Sequence, residues 1–469
     1  MIRRLSRILA IVGLCLLSTA HALSATLAEL WAERTPCVVA VEFMIEMETD
    51  RQTGNACGTV IDDHGTIILP PMAINLRFTP EQLKDFKVFL PGAVTGKPAQ
   101  YLGTDALTGW HFLRADESQW AELTPVTRFV PAKAAPAPAL GDEVWGLALR
   151  EKDEDFMPYL LSARVALLNR FPQLTAVAQQ EVASPGLPVF NSAGEFVGLA
   201  LSSFAQTYLQ FSRDNPGGMP IMNVNAEESS AFHVAEEVLP YFSRIPTNPH
   251  GRPKVWLGTF RLESVTPEVA AFLKLENQSA VMVSEVLENS PAEKAGFKER
   301  DIIVALDGQP LPKFRPARVV TGFIDREVGR RLPGQKVAFT VVRDGQRVEL
   351  EAVLEDSPKD PREAMRRYFE SVGCAVREFV YMDGIYRKEK LSAHAGVVAY
   401  FVKANSPAAA AGLRPDDWVK EIDGTEVKTY QQAIDLLGAI EADKTRSEFV
   451  LLVSRGGSET AVLRVKLNR

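Results

Sequence analysis

Few residues in this chain of 469 residues have types and spacing that suit chemistry. Ser184 stands in "EVASPGLPVF" (residues 181–190), directly ahead of Pro185 and Gly186. A nucleophilic serine needs a base within hydrogen-bond reach and backbone N–H groups that hold the oxyanion. Proline at its side brings neither hydroxyl nor N–H. The imidazoles in recognisable phrases are His64 in "IDDHGTIIL", His111 in "GWHFLRAD" and His233 in "AFHVAEE". The last lacks the second histidine that a helical zinc motif would need. No Cys-x-x-Cys, His-Glu-x-x-His or phosphate-cradling glycine loop occurs, so neither a metal nor a cofactor is expected.

The elements that must position these residues belong to an ordinary globular chain, 46% hydrophobic and 24% charged, with room for several domains. Arg3, Arg4 and Arg7 precede an apolar run from Ile8 to Leu17 and then "AHA" at residues 20–22. This reads as a secretory signal peptide over 1–22, which would place the mature chain in the periplasm or outside the cell. The apolar run is shorter than the roughly 20 residues that cross a bilayer, and no later segment is apolar enough, so no membrane span is expected. Losing the leader's three arginines takes the formal net charge from −7 to −10. An acidic chain without a basic run is a poor nucleic-acid binder. Cys37, Cys57 and Cys374 remain. The first two are expected at the starts of the two strands of one hairpin, too far apart to pair.

An internal repeat is the clearest structural signal. "ENSPAEKAGFKERDIIVALDG" (288–308) and "ANSPAAAAGLRPDDWVKEIDG" (404–424) align without a gap at nine identities. In each, a β-branched run ends at Ser-Pro, which opens a short helix; a glycine, Gly296 or Gly412, stops it; and a strand ends at an Asp-Gly turn. The phrase resembles PDZ domains of bacterial exported proteases. That resemblance makes "VWLGTF" (Trp256, Leu257, Gly258, Thr259 and Phe260) a carboxylate-binding loop, with Val372, Gly373 and Cys374 of "SVGCAV" as its counterpart. Backbone N–H groups around the glycine would take a peptide's terminal carboxylate while the peptide adds as a strand. An extra "YMDGIYRKEKLSAHA" after the second loop is placed to reshape or cover that groove.

From Pro36 to Phe242 short strands alternate with Gly and Asp turns, which argues for a β-barrel or sandwich, with a single helix expected from "AEESSAFHVAEEVLPYF". The order of phrases resembles the trypsin-like domain of the HtrA (Deg/Do) proteases, which carry PDZ domains on their C-terminal side. The resemblance implies a mostly β multidomain chain: signal peptide 1–22, double-barrel domain 23–242, linker 243–254, PDZ domain 255–355, linker 356–364 and PDZ domain 365–469. It also places the family's catalytic histidine, aspartate and serine at Met72, Gly109 and Pro185. A thioether accepts no proton near neutral pH, glycine orients nothing, and proline lacks hydroxyl and amide. The expected function is therefore an exported pseudoprotease scaffold or chaperone that binds peptide C-termini or unfolded proteins. The alternative is an active envelope endopeptidase using Ser184 as nucleophile with a non-standard base. The resemblance further implies a possible homotrimer through "LAELWAERTP" (27–36), although Trp31 there has its own barrel as a competing partner.

Overall fold

The computed structural model describes residues 25–75, 77–131, 138–169, 173–201, 207–210, 221–224, 230–250, 255–275, 277–315, 317–456 and 459–468. The expected signal peptide lies outside the described residues, as do 251–254 of the first linker. Helix α1 (Leu27–Arg34) opens with a capping box in which Thr26 and Glu29 satisfy each other's backbone amides. Its Leu30 and Arg34 are buried, and Arg34 Nε donates to the Gly194 carbonyl at 3.0 Å. Trp31 packs half-buried on the core of its own domain.

Six strands close the first barrel in the order β1-β2-β3-β6-β5-β4: β1 (Val38–Glu46), β2 (Arg51–Val60), β3 (Thr66–Leu69), β4 (Leu83–Phe89), β5 (Lys97–Thr104) and β6 (His111–Ala115). The two-residue period of β1 divides its side chains between two cores. Val39, Val41 and Phe43 fill this barrel, while Val38 and Ala40 face the core shared with the second barrel. That double burial explains a strand that is apolar on both faces. The strands also run further than the sequence suggests, leaving only residues 47–50 as the β1–β2 loop. Cys57 accordingly sits deep in β2 opposite Ala40, not at a strand start. Three residues of register separate it from Cys37, about 10 Å of strand, beyond the span of a disulfide. All three cysteines are free thiols.

The second barrel closes in the order β10-β11-β14-β9-β8-β7, from β7 (Glu143–Leu149), β8 (Pro158–Asn169), β9 (Thr175–Ala178), β10 (Pro188–Asn191), β11 (Phe196–Ala200) and β14 (Ala231–Val234), with β12 (Thr207–Gln210) and β13 (Ile221–Val224) as a separate hairpin. Of the helix expected over "AEESSAFHVAEEVLPYF", residues 226–229 lie outside the described residues, and the described remainder is helical only in α2 (Ala235–Val238) and a following 3-10 turn. Residues 231–234 are recruited as the closing strand, pairing with β11 on one side and β9 on the other, so barrel closure overrides helical spacing.

Two similar units follow. The first holds β15 (Val255–Trp256), β16 (Thr259–Ser264), α3 (Pro267–Phe272), β17 (Val281–Val286), α4 (Pro291–Lys294), β18 (Ile302–Leu306), β19 (Gln309–Pro310), α5 (Val319–Gly329), β20 (Lys336–Arg343), β21 (Gln346–Val353) and β22 (Glu355–Asp356). The second holds β23 (Arg366–Phe369), β24 (Cys374–Glu378), α6 (Tyr381–Arg387), β25 (Val397–Val402), α7 (Pro407–Ala410), β26 (Trp418–Ile422), β27 (Thr425–Glu426), α8 (Tyr430–Ala442), β28 (Glu448–Arg455) and β29 (Glu459–Lys466). Ser290 and Ser406 cap α4 and α7, with proline at the first helical position of each. Gly296 and Gly412 end the helices at φ 85° and 88°. The repeat also carries an ion pair. Arg343 grips buried Asp301 through Nε and Nη2, both at 2.7 Å, and Arg455 grips Asp417 at 2.7 and 2.9 Å.

Candidate functional site

The cleft between the barrels is built from three turns. Strand β3 ends at Pro70 and Pro71, which offer no N–H to extend the ladder, and Ala73 N–H closes a turn on the Pro70 carbonyl at 3.0 Å. Met72, at the tip of that turn, is 58% exposed. The second turn is Ser184-Pro185-Gly186-Leu187: Leu187 N–H bonds to the Ser184 carbonyl at 3.0 Å and Gly186 has φ 82°, as a type II turn requires after proline. A Cβ on Gly186 would lie 2.6 Å from Pro70 Cδ, and Thr59 Oγ1 donates to the Gly186 carbonyl at 2.7 Å. The third turn brings Gly109, φ 72°, against Pro71, where a Cβ would come within 3.1 Å. Met72, Gly109 and Pro185 thus lie on three turns that meet through the two prolines.

The amides of the serine turn all have other uses. Ser184 N–H donates to the Leu147 carbonyl at 3.1 Å, Pro185 has none, and Gly186 N–H donates to the Ala200 carbonyl at 2.8 Å. The adjoining cavity, about 380 Å³, is walled by Leu69, Pro70, Pro71, Met72, Trp110 and His233 among others. His233 Nδ1 meets Thr175 Oγ1 at 3.3 Å. His111 is buried in β6, its Nδ1 held by Thr104 Oγ1 at 2.9 Å and Tyr101 Oη at 3.0 Å. Burial pushes that imidazole down to about 4, against the pull of the Pro71 and Ile74 carbonyls toward protonation. His64 sits in the exposed turn before β3, edge-on to Trp120. Among the described residues no imidazole hydrogen-bonds to Ser184 Oγ.

In the repeated units the two loop glycines occupy equivalent places. Gly258 has φ 87° and Gly373 φ 74°, and a Cβ would fall 2.0 Å from Ser290 Cβ in the first and 2.2 Å from Ser406 Cβ in the second. Only glycine fits there. Each loop then leads into a strand, β16 or β24. Strand β16 is the sheet's edge, and among the described residues the amides of Leu257 and Gly258 bond to no backbone carbonyl. The second loop leads into a strand that is paired on both sides. Strand β24 pairs with β25 on one side and with β23 on the other, Phe369 opposite Cys374 and Arg366 opposite Arg377. The Gly373 amide donates to the Phe369 carbonyl at 2.8 Å.

Comparison with known proteins fits this layout. Residues 270–354 and 400–447 each match the PDZ domain family. The chain is 25% identical over 279 residues to a probable periplasmic serine endoprotease, DegP-like, of Pseudomonas fulva, covering 58% of this chain and 52% of that one. With the same-named protein of Ectopseudomonas mendocina it shares 27% identity over 280 residues, with the same coverage. The chain is thus similar to the DegP-like serine endoproteases of the HtrA type and carries two PDZ domains. It spans about half the length of these curated HtrA relatives, 52% of each. A solved serine endoprotease from Yersinia pestis shares 17% identity at a TM-score of 0.47, over 71% of this chain and 99% of that one. The mostly β fold, a trypsin-like pair of closed barrels followed by two PDZ domains, is the one its sequence phrases imply.

Several further residues hold this site together. Asp105 is fully buried, taking Arg244 Nε and Nη2 at 2.9–3.0 Å and the Thr108 hydroxyl at 2.9 Å, and so ties the Gly109 turn to the end of the barrel domain. The insert after the second loop does not cover its own groove. Its helix α6 is fixed by Asp383, buried against Arg377 at 2.6 and 2.7 Å, and docks on the first PDZ domain. There Tyr381 Oη donates to the Glu288 carbonyl at 2.8 Å and its ring stands edge-on to Trp256, while Tyr386 meets Phe260. The pairing of β23 had one sequence signal: "RRYF" lies four residues ahead of Gly373, where the first copy has only a Pro/Gly-rich linker.

Proposed function

We propose that this chain is an exported pseudoprotease whose PDZ region captures peptide C-termini or unfolded segments by strand addition, with the barrels as a non-cleaving scaffold. The observation that carries this reading is the fate of the serine turn. Oxyanion stabilisation needs free N–H groups aimed at the reacting carbonyl. Here the N–H of Ser184 and that of Gly186 bond to carbonyls of the barrel, and Pro185 between them has none. The base is also missing, because His111 and His233 are held by other hydroxyls and Met72 accepts no proton. Removing a triad costs on the order of a millionfold in turnover, and one oxyanion donor a further hundredfold or more.

The edge of β16 and the Leu257 and Gly258 amides, without backbone partners among the described residues, support peptide capture by the first PDZ domain. The periplasmic relatives and the expected leader support export, and no described helix is long and apolar enough to cross a membrane. The test is digestion of an unfolded protein by the purified chain beside Ser184→Ala. Both should leave it intact while binding peptides that end in a free carboxylate. Cleavage that disappears in Ser184→Ala would instead favour an endopeptidase built on Ser184.

A further inference from the structure

The two PDZ domains share a loop glycine and a capped helix, yet among the described residues only the first has a vacant edge. In the first, β15 turns away from β16 and pairs with β22. In the second, β23 runs antiparallel to β24 for its whole length. A peptide added to a PDZ edge runs antiparallel to it, puts its last side chain under the neighbouring helix and offers its terminal carboxylate to the loop amides.

Strand β23 meets each of these conditions. Phe369, its last residue, is fully buried in one core with Ala433, Ile434, Leu437 and Ile440 of α8 and with Val372 and Cys374 of the loop. The Phe369 carbonyl accepts from the Gly373 amide, where a terminal carboxylate oxygen would accept, and the equivalent Gly258 amide of the first domain has no such partner among the described residues. The strand lies along α8 as well: the Arg367 guanidinium stands 3.9 Å from where a Cβ on Gly438 would be, and past the strand's end Ser371 N–H donates to Glu441 Oε1 at 3.1 Å.

We propose that Arg366–Phe369 is a built-in ligand of the second PDZ domain, with Phe369 in the place of a peptide's terminal residue, so that foreign peptides reach only the first domain. The inference rests on reading these domains as peptide-capture modules. The tether, residues 370–373, is short enough to hold the strand at roughly millimolar effective concentration, so a free peptide at about 10 µM competes at about a hundredfold disadvantage. Each chain then captures one peptide, and the second domain serves through its α6 insert, seated beside the first domain's loop.

Hydrogen–deuterium exchange of the mature chain tests this, alone and with a synthetic peptide of residues 362–369 (Arg-Glu-Ala-Met-Arg-Arg-Tyr-Phe) bearing a free carboxylate. Alone, the amides of Arg366–Phe369 and the β23-facing amides of Cys374–Glu378 should exchange about a hundredfold more slowly than the free edge of β16. Peptide should leave them unchanged. Fast exchange there without peptide, or new protection there with it, overturns the proposal. Replacing Arg366–Phe369 with Gly-Ser-Gly-Ser should create a second peptide site. If β28 and β29 stay protected in that variant and Cys374–Glu378 still gains nothing from peptide, the groove is no ligand site and the proposal fails. Failure of the peptide to protect β16 counts against peptide capture by the first domain and leaves the exchange of β23 to decide this point by itself.

Discussion

Acidification should weaken the first barrel through His111. The imidazole is buried in β6, bonded to Thr104 and Tyr101, with a folded-state value of about 4 against an ordinary 6.5. Between these values the unfolded chain takes up a proton that the folded barrel refuses. Stability is therefore full above about pH 6.5 and falls as pH drops toward 4, below which the folded ring also protonates and the loss levels off. A shift from 6.5 to about 4 corresponds to about 3 kcal/mol across the whole window, and about 2.5 kcal/mol of it is lost by a pH of about 4.5. Urea titrations at neutral pH and at a pH of about 4.5, read by deuterium exchange of β5 and β6, report this barrel separately from the PDZ domains. His111→Gln removes the titrating group, so its neutral-pH stability should fall while its acid-dependent loss shrinks by about 2.5 kcal/mol. An equal pH dependence in the wild-type chain and the variant would refute the reasoning, because the acid sensitivity would then belong to other groups.

The two loop glycines should respond differently. Gly258→Ala forces a Cβ to 2.0 Å from Ser290 at φ 87°, which displaces the loop amides and should weaken peptide binding tenfold or more in a fluorescence titration, by roughly the 1–2 kcal/mol that left-handed backbone costs a non-glycine residue. Gly373→Ala meets the same obstruction at 2.2 Å but should leave peptide affinity unchanged while lowering the second domain's melting temperature. Arg343→Ala strands the Asp301 carboxylate in a fully buried site and should cost about 3 kcal/mol. Calorimetry should place that loss in the first PDZ transition, with Arg455→Ala shifting the second; a common shift of both would show that the domains do not melt on their own cores.

Local chemistry made much of this protein legible in its sequence. Ser-Pro before a helix, glycine after it and Asp-Gly in a tight turn state the repeat outright, because each is a short-range backbone requirement met within a few residues, while its PDZ identity came from the resemblance of the whole phrase. Met72, Gly109 and Pro185 were singled out only by the resemblance of their phrases to HtrA proteases, whereas their meeting on three turns through Pro70 and Pro71 is a fact of the tertiary structure. What the sequence could not state is which strand edge each segment would meet. Residues 231–234 have helical spacing yet become a strand because barrel closure offers edges on both sides. Strand β23 and the α6 insert likewise take their places from surfaces that exist only once the sheets have formed, one along the free edge of β24 and the other on the neighbouring domain. Turns and caps are decided by neighbours in the chain, whereas strand partners and groove occupants are decided by which edges and surfaces the formed sheets leave open, and only the tertiary structure sets those.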